Sequence, residues 1–252
     1  MTYTTRYART ADDLRQVQRL RYQIFVAEMG AGGDGIDHDL SLEADGYDAF
    51  AQHLMIEDPT RASGDNLVGV YRLMTRDCAQ RAGGFYARSE FDLSPLLSSK
   101  RSLLELGRSC VHPDYRNGMV LAQMWSALAQ FVQDADIQVL FGTASFHGTD
   151  KDALAQPLSW LHHHYLAPPD LRVRAIGPAA VACDQIAAEQ LDRPVAMRQM
   201  PPLIKSYLRL GGRVGQGAFV DHKFNTTDVC LILDTNALTY QARTRYTIGS
   251  PA

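Results

Sequence analysis

Residues 105–118 read Glu105-Leu106-Gly107-Arg108-Ser109-Cys110-Val111-His112-Pro113-Asp114-Tyr115-Arg116-Asn117-Gly118. A half-apolar, alternating run over 102–111 predicts a strand. A Pro-containing turn follows, and then a helix-like pattern over 118–134 with Val120, Leu121, Met124, Trp125, Leu128, Phe131 and Val132 on one broad face. The first amides of a helix have no partner within it, so such a junction binds anionic or polarised oxygen. In a flat strand Glu105 and Arg108 would point to opposite faces. A bulge near Gly107 would bring both to one face and free a backbone amide. Glu105 is a candidate general base, acting directly or through a water, and the Val111 amide a candidate oxyanion donor. A structural Glu105–Arg108 ion pair is the plainer alternative.

Outward from that junction the chain alternates helices and strands. Leu14, Val17, Leu20, Ile24 and Phe25 predict a helix over 11–29, ended by the glycines between Gly30 and Gly35. Strand-like runs at 53–57 and 67–75 flank a turn-rich segment and read as a hairpin. Residues 78–102 form a connection of weak helix character. A strand is expected at 138–141, helices at 151–165 and 179–191, and a late strand at 229–233. The alternating run from Tyr207 to Arg213 is expected to be a strand lining a site. The order predicts an α/β protein with a mixed sheet. No Gly-x-Gly-x-x-Gly follows the first strand, which disfavours a dinucleotide fold.

The 252 residues carry a formal net charge of -3, with 46% hydrophobic and 21% charged residues. This suits a globular protein with a full core and gives no reason to expect nucleic acid. The N-terminal residues lack the apolar centre of a signal peptide, and no run approaches the length of a spanning helix. A cytoplasmic location is expected, with peripheral contact at the inner membrane left open. Cys78, Cys110, Cys183 and Cys230 form no C-x-x-C pair and are expected to be buried and reduced.

Glu43, Asp45 and Asp48 form an acidic loop. They are candidate ligands for the ammonium groups of a cationic amino acid, or they are simply solvated. A calcium loop fits poorly, because counting from Asp37 puts Leu42 where an EF-hand needs glycine. Arg21 and Arg72 are suited to bind a carboxylate or to hold the acidic loop closed. His162, His163 and His164 point in three directions on a helix and do not converge on one metal. No metal or other cofactor is expected.

The 105–118 run resembles the acyl-donor motif of the GNAT acyltransferases. Arg21-x-x-x-Phe25, Glu43-x-Asp45-x-x-Asp48, Val70-x-Arg72 and Glu105-x-x-Arg108 together resemble the pattern of the N-acyl homoserine lactone synthases, which are GNAT-like. A closer likeness covers nearly the whole chain. The segments Phe141–Asp150, Leu158–His164, Lys205–Gly211 and Asp221–Val229 resemble those of the L-ornithine N-alpha-acyltransferases. That resemblance implies a single GNAT-like domain over 1–252, a mostly antiparallel mixed sheet flanked by helices, with family-specific additions after about residue 140. It implies transfer of a 3-hydroxyacyl group from acyl carrier protein to the alpha-amine of L-ornithine, giving lyso-ornithine lipid.

Tyr115, Arg116, Asn117 and Gly118 would then bind the donor. Asp45, Asp48, Arg72, Arg108, Ser145 and Asp221 are the candidate substrate contacts, Asp221 and Asn225 on the resemblance alone. Arg209 is a candidate contact for the acidic carrier protein or an anionic membrane. The usual GNAT loop reads Arg-x-x-Gly-x-Gly or Ala; here it reads Arg116-Asn117-Gly118-Met119-Val120-Leu121-Ala122, with one glycine. Close approach of backbone to a pyrophosphate favours glycine, so the departure weighs against coenzyme A. Glutamine or another amino acid as acceptor, a homoserine lactone synthase using S-adenosylmethionine, and a non-catalytic carrier- or lipid-binding protein remain as alternatives.

Overall fold

The computed structural model describes residues 3–238. The chain divides into two compact units. One comprises residues up to Phe85 together with Leu104–Asp136. The other comprises Tyr86–Leu103 and the described residues from Ile137 onward.

The first unit is built on four antiparallel strands in the order β1 (Thr4–Tyr7), β2 (Gln52–Glu57), β3 (Leu67–Thr75) and β4 (Leu103–Val111). β2 and β3 are the hairpin anticipated from their flanking turn residues. Helix α1 (Ala11–Arg21) starts at Thr10, whose hydroxyl accepts from the Asp13 N–H while the Asp13 carboxylate accepts from the Thr10 N–H. This reciprocal cap satisfies two of the first-turn donors. α1 then loosens into a π-helical turn, Tyr22–Glu28. Val17, Leu20 and Ile24 pack on Met55, Leu67, Val70 and Cys110 to form a core, with Phe25 at its edge.

Helix α2 (Met119–Asp134) lies close over the sheet. A β-carbon on Gly69 of β3 would fall 2.7 Å from Val120 Cγ1, so only glycine admits the helix at this distance. Gly118, at φ 93°, turns the chain into α2 in the left-handed region that glycine tolerates best.

In the second unit β5 (Val139–His147) and β8 (Thr226–Asp234) pair along their whole lengths. β7 (Ala218–Asp221) pairs with β8, and β6 (Ala180–Val181) with β7, all antiparallel. Helices α3 (Ala155–Tyr165), α4 (Arg193–Gln199) and α5 (Pro202–Arg209) complete the unit. Among the described residues no helix is long and apolar enough to cross a membrane.

Two expectations fail here for local reasons. Residues 179–191 are not a helix: Ala180 and Val181 pair with β7, and the Ser159 hydroxyl ties down the following backbone. It donates to the Cys183 carbonyl and accepts from the Gln185 and Ile186 amides. The stretch around Tyr207 is not a strand but α5. Pro202 occupies its first turn, and Ile204 and Tyr207 bury one helical face. Arg209 is exposed at its end.

Candidate active site

Arg21 sits on the buried face of α1 with Val17, Leu20 and Ile24, and its side chain is fully enclosed. A guanidinium in that position needs carboxylates. The loop after Gly35 supplies them. Arg21 Nε donates to Glu43 Oε2, and Nη1 donates to Asp48 Oδ1 at 2.7 Å. Arg72, from β3, donates to both oxygens of Asp45 at 2.6 Å and to Asp48 Oδ1 at 3.0 Å. Arg108, from β4, reaches Glu43 Oε1 and Asp45 Oδ2, each at 3.2 Å. Three arginines and three carboxylates thus interlock and balance in charge.

Burial works against the charged form of Asp48, but the charges of Arg21 and Arg72 outweigh it and hold its carboxyl below the ordinary range. Asp45 follows the same logic with Arg72 and Arg108. The loop is therefore not a solvated charge run. Asp48 also accepts from Gln18 Nε2 at 3.1 Å, so it is engaged on all sides, whereas Asp45 is the most exposed carboxylate of the three. Beneath them His53 Nε2 contacts the Asp48 carbonyl at 3.0 Å, and burial lowers its pKa.

The irregularity expected near Gly107 is present one residue on. Val70 faces Cys110 and Arg72 faces Gly107, so Tyr71 alone opposes Arg108 and Ser109. Arg108 takes φ 51°, a left-handed conformation that costs a side-chain-bearing residue about 1–2 kcal/mol. Its ion pairs to Glu43 and Asp45 hold it there. Glu105 lies on β4 opposite Met74 and is buried.

Beyond the bulge, His112 N–H donates to Val68 O at 2.9 Å. Bonded pairs alternate along an antiparallel ladder, so the Val111 N–H turns away from β3. The Val111 carbonyl accepts from Arg116 Nε at 3.2 Å, which fixes this peptide at the strand end. Cys110, beside it, is buried, and burial pushes its thiol up to about 12. It stays protonated at neutral pH and is a poor nucleophile.

The residues expected at the donor loop all lie in the turn leading to α2. Tyr115 OH donates to Asp58 Oδ2 at 2.6 Å. Arg116 forms a two-pronged pair with Glu28, at 2.6 and 2.7 Å. Asn117 Oδ1 accepts from the Met119 N–H at 3.0 Å, across the Gly118 turn that opens the helix.

Ser145 and Asp221 belong to the other unit. Ser145 is exposed on β5 opposite Asp228. Asp221 ends β7, and its Oδ1 accepts from the Lys223 and Phe224 amides at 2.8 and 3.2 Å. Of the histidine run, His163 Nε2 meets the Ile186 carbonyl at 2.9 Å and His164 stacks on Trp160. Sequence reasoning passed over Glu90, Thr226 and the single residue Asp228. The available signal was a carboxylate at 228 beside the apolar run Val229–Leu233.

A bulged strand whose last amide turns away from β3, followed by a turn and a helix N-terminus, is the arrangement of a GNAT-type N-acyltransferase. Residues 20–126 match the acetyltransferase (GNAT) domain family. The fold is also that of a CoA-dependent acyl-homoserine lactone synthase, BjaI, at a TM-score of 0.55 and 17% identity over 100% of this chain and 92% of that one.

The chain is 52% identical to an L-ornithine N(alpha)-acyltransferase of Rhodobacter capsulatus over 98% of its own length and 95% of that protein's. It is 40% identical to the one from Brucella abortus, over 90% and 83%. It belongs to the L-ornithine N(alpha)-acyltransferase family.

Proposed function

We propose that the chain moves a 3-hydroxyacyl group from acyl carrier protein to the alpha-amine of L-ornithine, giving lyso-ornithine lipid. The observation that carries the acyl-transfer half of this reading is the Val111 peptide. Its carbonyl is held by Arg116 and its N–H points away from β3 just after the bulge. An amide donor so held stabilises the oxyanion formed when an amine attacks a thioester carbonyl. Glu105 takes a proton from the alpha-ammonium, directly or through a water. The freed amine attacks, the tetrahedral intermediate collapses, and the thiol of the carrier arm leaves. The alpha-amine loses its positive charge and becomes an amide.

Ornithine as the acceptor rests on the names of the curated relatives. Asp45 and Arg108, at the more open side of the charge network, are assigned to contact the amino acid, with Asp48 and Arg72 holding them in place. Ser145 and Asp221 are further candidates.

The acyl carrier protein donor is supported by the turn itself. It has one glycine, and Arg116 is already paired with Glu28, which suits an arm with a single phosphate better than a pyrophosphate. A lipid product fits a peripheral position on the cytoplasmic side of the inner membrane. The test is mass spectrometry of the purified protein with 3-hydroxyacyl carrier protein and equimolar ornithine, glutamine, lysine and S-adenosylmethionine. Acyl-ornithine is the expected product. Acyl-glutamine would move the substrate, a homoserine lactone would change the reaction, and an untouched thioester would overturn the reading.

A further inference from the structure

The proposed chemistry leaves one charged stretch of the second unit unused. From Arg193 to Val220 the sequence holds Arg193, Arg198, Lys205, Arg209 and Arg213 and no Asp or Glu, in a chain whose net charge is -3. The carboxylate just before the run, Asp192, is taken up in capping α4, where it accepts from the Val195 N–H at 3.0 Å.

The fold turns these cations outward. Ala196 of α4 is buried, and Arg198 is exposed. α5 follows after only Met200 and Pro201. It buries Ile204 and Tyr207, so Lys205 and Arg209 fall on its outer side. Arg193 and Arg213, at the two ends of the stretch, are exposed as well. Among the described residues none of the five meets a carboxylate. Arg213 alone has a polar contact, donating from Nη1 to the His164 carbonyl at 3.3 Å. In the first unit, by contrast, Arg6, Arg21, Arg61, Arg72, Arg108 and Arg116 each pair with an acid.

Side chains four apart on a helix are neighbours, so Lys205 and Arg209 repel one another. The fold supplies no anion between them, and an anionic surface laid over this side of α5 removes the repulsion. Leu203 and Leu208 flank the two cations and are only partly buried. Long basic side chains with apolar neighbours suit an interface of headgroups and acyl chains, where the alkyl stem sits in apolar surroundings and the charged tip reaches phosphate.

We propose that the outer sides of α4 and α5, with Arg193, Arg198, Lys205, Arg209 and Arg213, form a docking surface for an anionic lipid bilayer. The inference rests on the reading of a lipid product, an amphiphile with one acyl chain whose destination is a membrane. Anionic headgroups diffuse laterally and need no fixed complement, which suits cations spread over two helices and the turn after them. The carrier's phosphate is already assigned to the donor turn of the first unit, so this stretch is left for another anion.

The test is co-sedimentation of the full-length protein with vesicles of equal parts phosphatidylcholine and phosphatidylglycerol, against vesicles of phosphatidylcholine alone. Binding is expected only to the anionic vesicles and is expected to fall at high salt. Lys205→Gln together with Arg209→Gln should lower the partition coefficient about 5-fold for each charge removed, roughly 25-fold in all. Arg209→Lys keeps the charge and should bind as the wild type does, which separates loss of charge from loss of fold. Equal binding to neutral vesicles, or a double variant that binds as the wild type does, overturns the surface. A double variant that keeps vesicle binding and raises the KM for acyl carrier protein overturns it in favour of the carrier. A wild type that acylates ornithine and stays in solution beside anionic vesicles overturns the surface and leaves the proposed reaction standing. Charge-dependent vesicle binding without acylation of any amine supports the surface and overturns the reaction.

Discussion

In the first unit each of Glu43, Asp45 and Asp48 meets an arginine, and the six side chains lock together. In the second, Glu90, Asp221 and Asp228 bring their oxygens toward one another beside an unbonded threonine hydroxyl. The same residue type stands in two settings. A balanced network fixes a loop and a strained arginine in place, because every charge is answered within the fold. Acidic residues in a sequence thus do not by themselves mark the place where a cationic substrate binds. For Glu43, Asp45 and Asp48 the fold itself answers the charge.

The largest expected effect lies in neither cluster. Glu105→Gln keeps the size of the side chain and removes the base. Turnover at neutral pH is expected to fall by roughly 10²-fold to 10⁴-fold, read by thiol release from the acyl carrier. Near-normal turnover would leave the network without the chemistry it is supposed to serve.

The network is tested by Arg21→Met. Removing one partner of a buried ion pair strands the others, so unfolding free energy should fall by about 3–5 kcal/mol, measured by urea denaturation. A loss under about 1 kcal/mol would place the network among interactions of surface strength. Its pH dependence has a definite sign. The Asp48 carboxyl is held below its unfolded value by Arg21 and Arg72 against the opposing effect of burial. Its contribution is complete above the unfolded pKa of about 3.9 and is lost as pH falls from there toward the lower folded value. Stability should therefore drop below about pH 4 in the wild type, and more shallowly in Asp48→Asn. Equal acid sensitivity in the two proteins would remove Asp48 from the account.

How much of this was visible in the sequence depended on whether the determining contacts are local. The hairpin, α1 and α2 were legible because periodicity, caps and turn residues are neighbours in the chain. Even the bulge could be anticipated, since Glu105 and Arg108 are three apart and share a face only if the strand is irregular. The pairing of Arg21 with Glu43 and Asp48 was one of two uses foreseen for that arginine. Its full burial was not readable, because it depends on how α1 settles on β3. Residues 179–191 defeated the helical pattern because Ser159, some 20 residues earlier, takes over their backbone bonds. The Glu90–Asp221–Asp228 cluster was illegible for the same reason. Its members lie far apart in the chain and meet only through strand register.

The open side of the first centre is probed by Asp45→Asn. Asp45 is shared by Arg72 and Arg108 and is partly open to solvent. Its neutralisation should raise the apparent KM for ornithine about 3-fold to 10-fold. An unchanged KM would make the acidic loop wholly structural.

The smallest effect concerns the donor turn. Arg116 and Glu28 form an exposed pair, so Glu28→Gln should alter unfolding free energy by less than about 1 kcal/mol. The informative readout is the donor. If Arg116 binds the phosphate of the carrier arm, Glu28 competes for the same guanidinium. Glu28→Gln should then lower the KM for acyl carrier protein, while Arg116→Ala should raise it. Should both substitutions shift that KM in the same direction, the pair is a brace for the Val111 peptide and the phosphate is held by backbone amides at the start of α2 alone. The opposed signs are what separate a binding residue from a brace, and they do so at a position where stability measurements would register almost nothing.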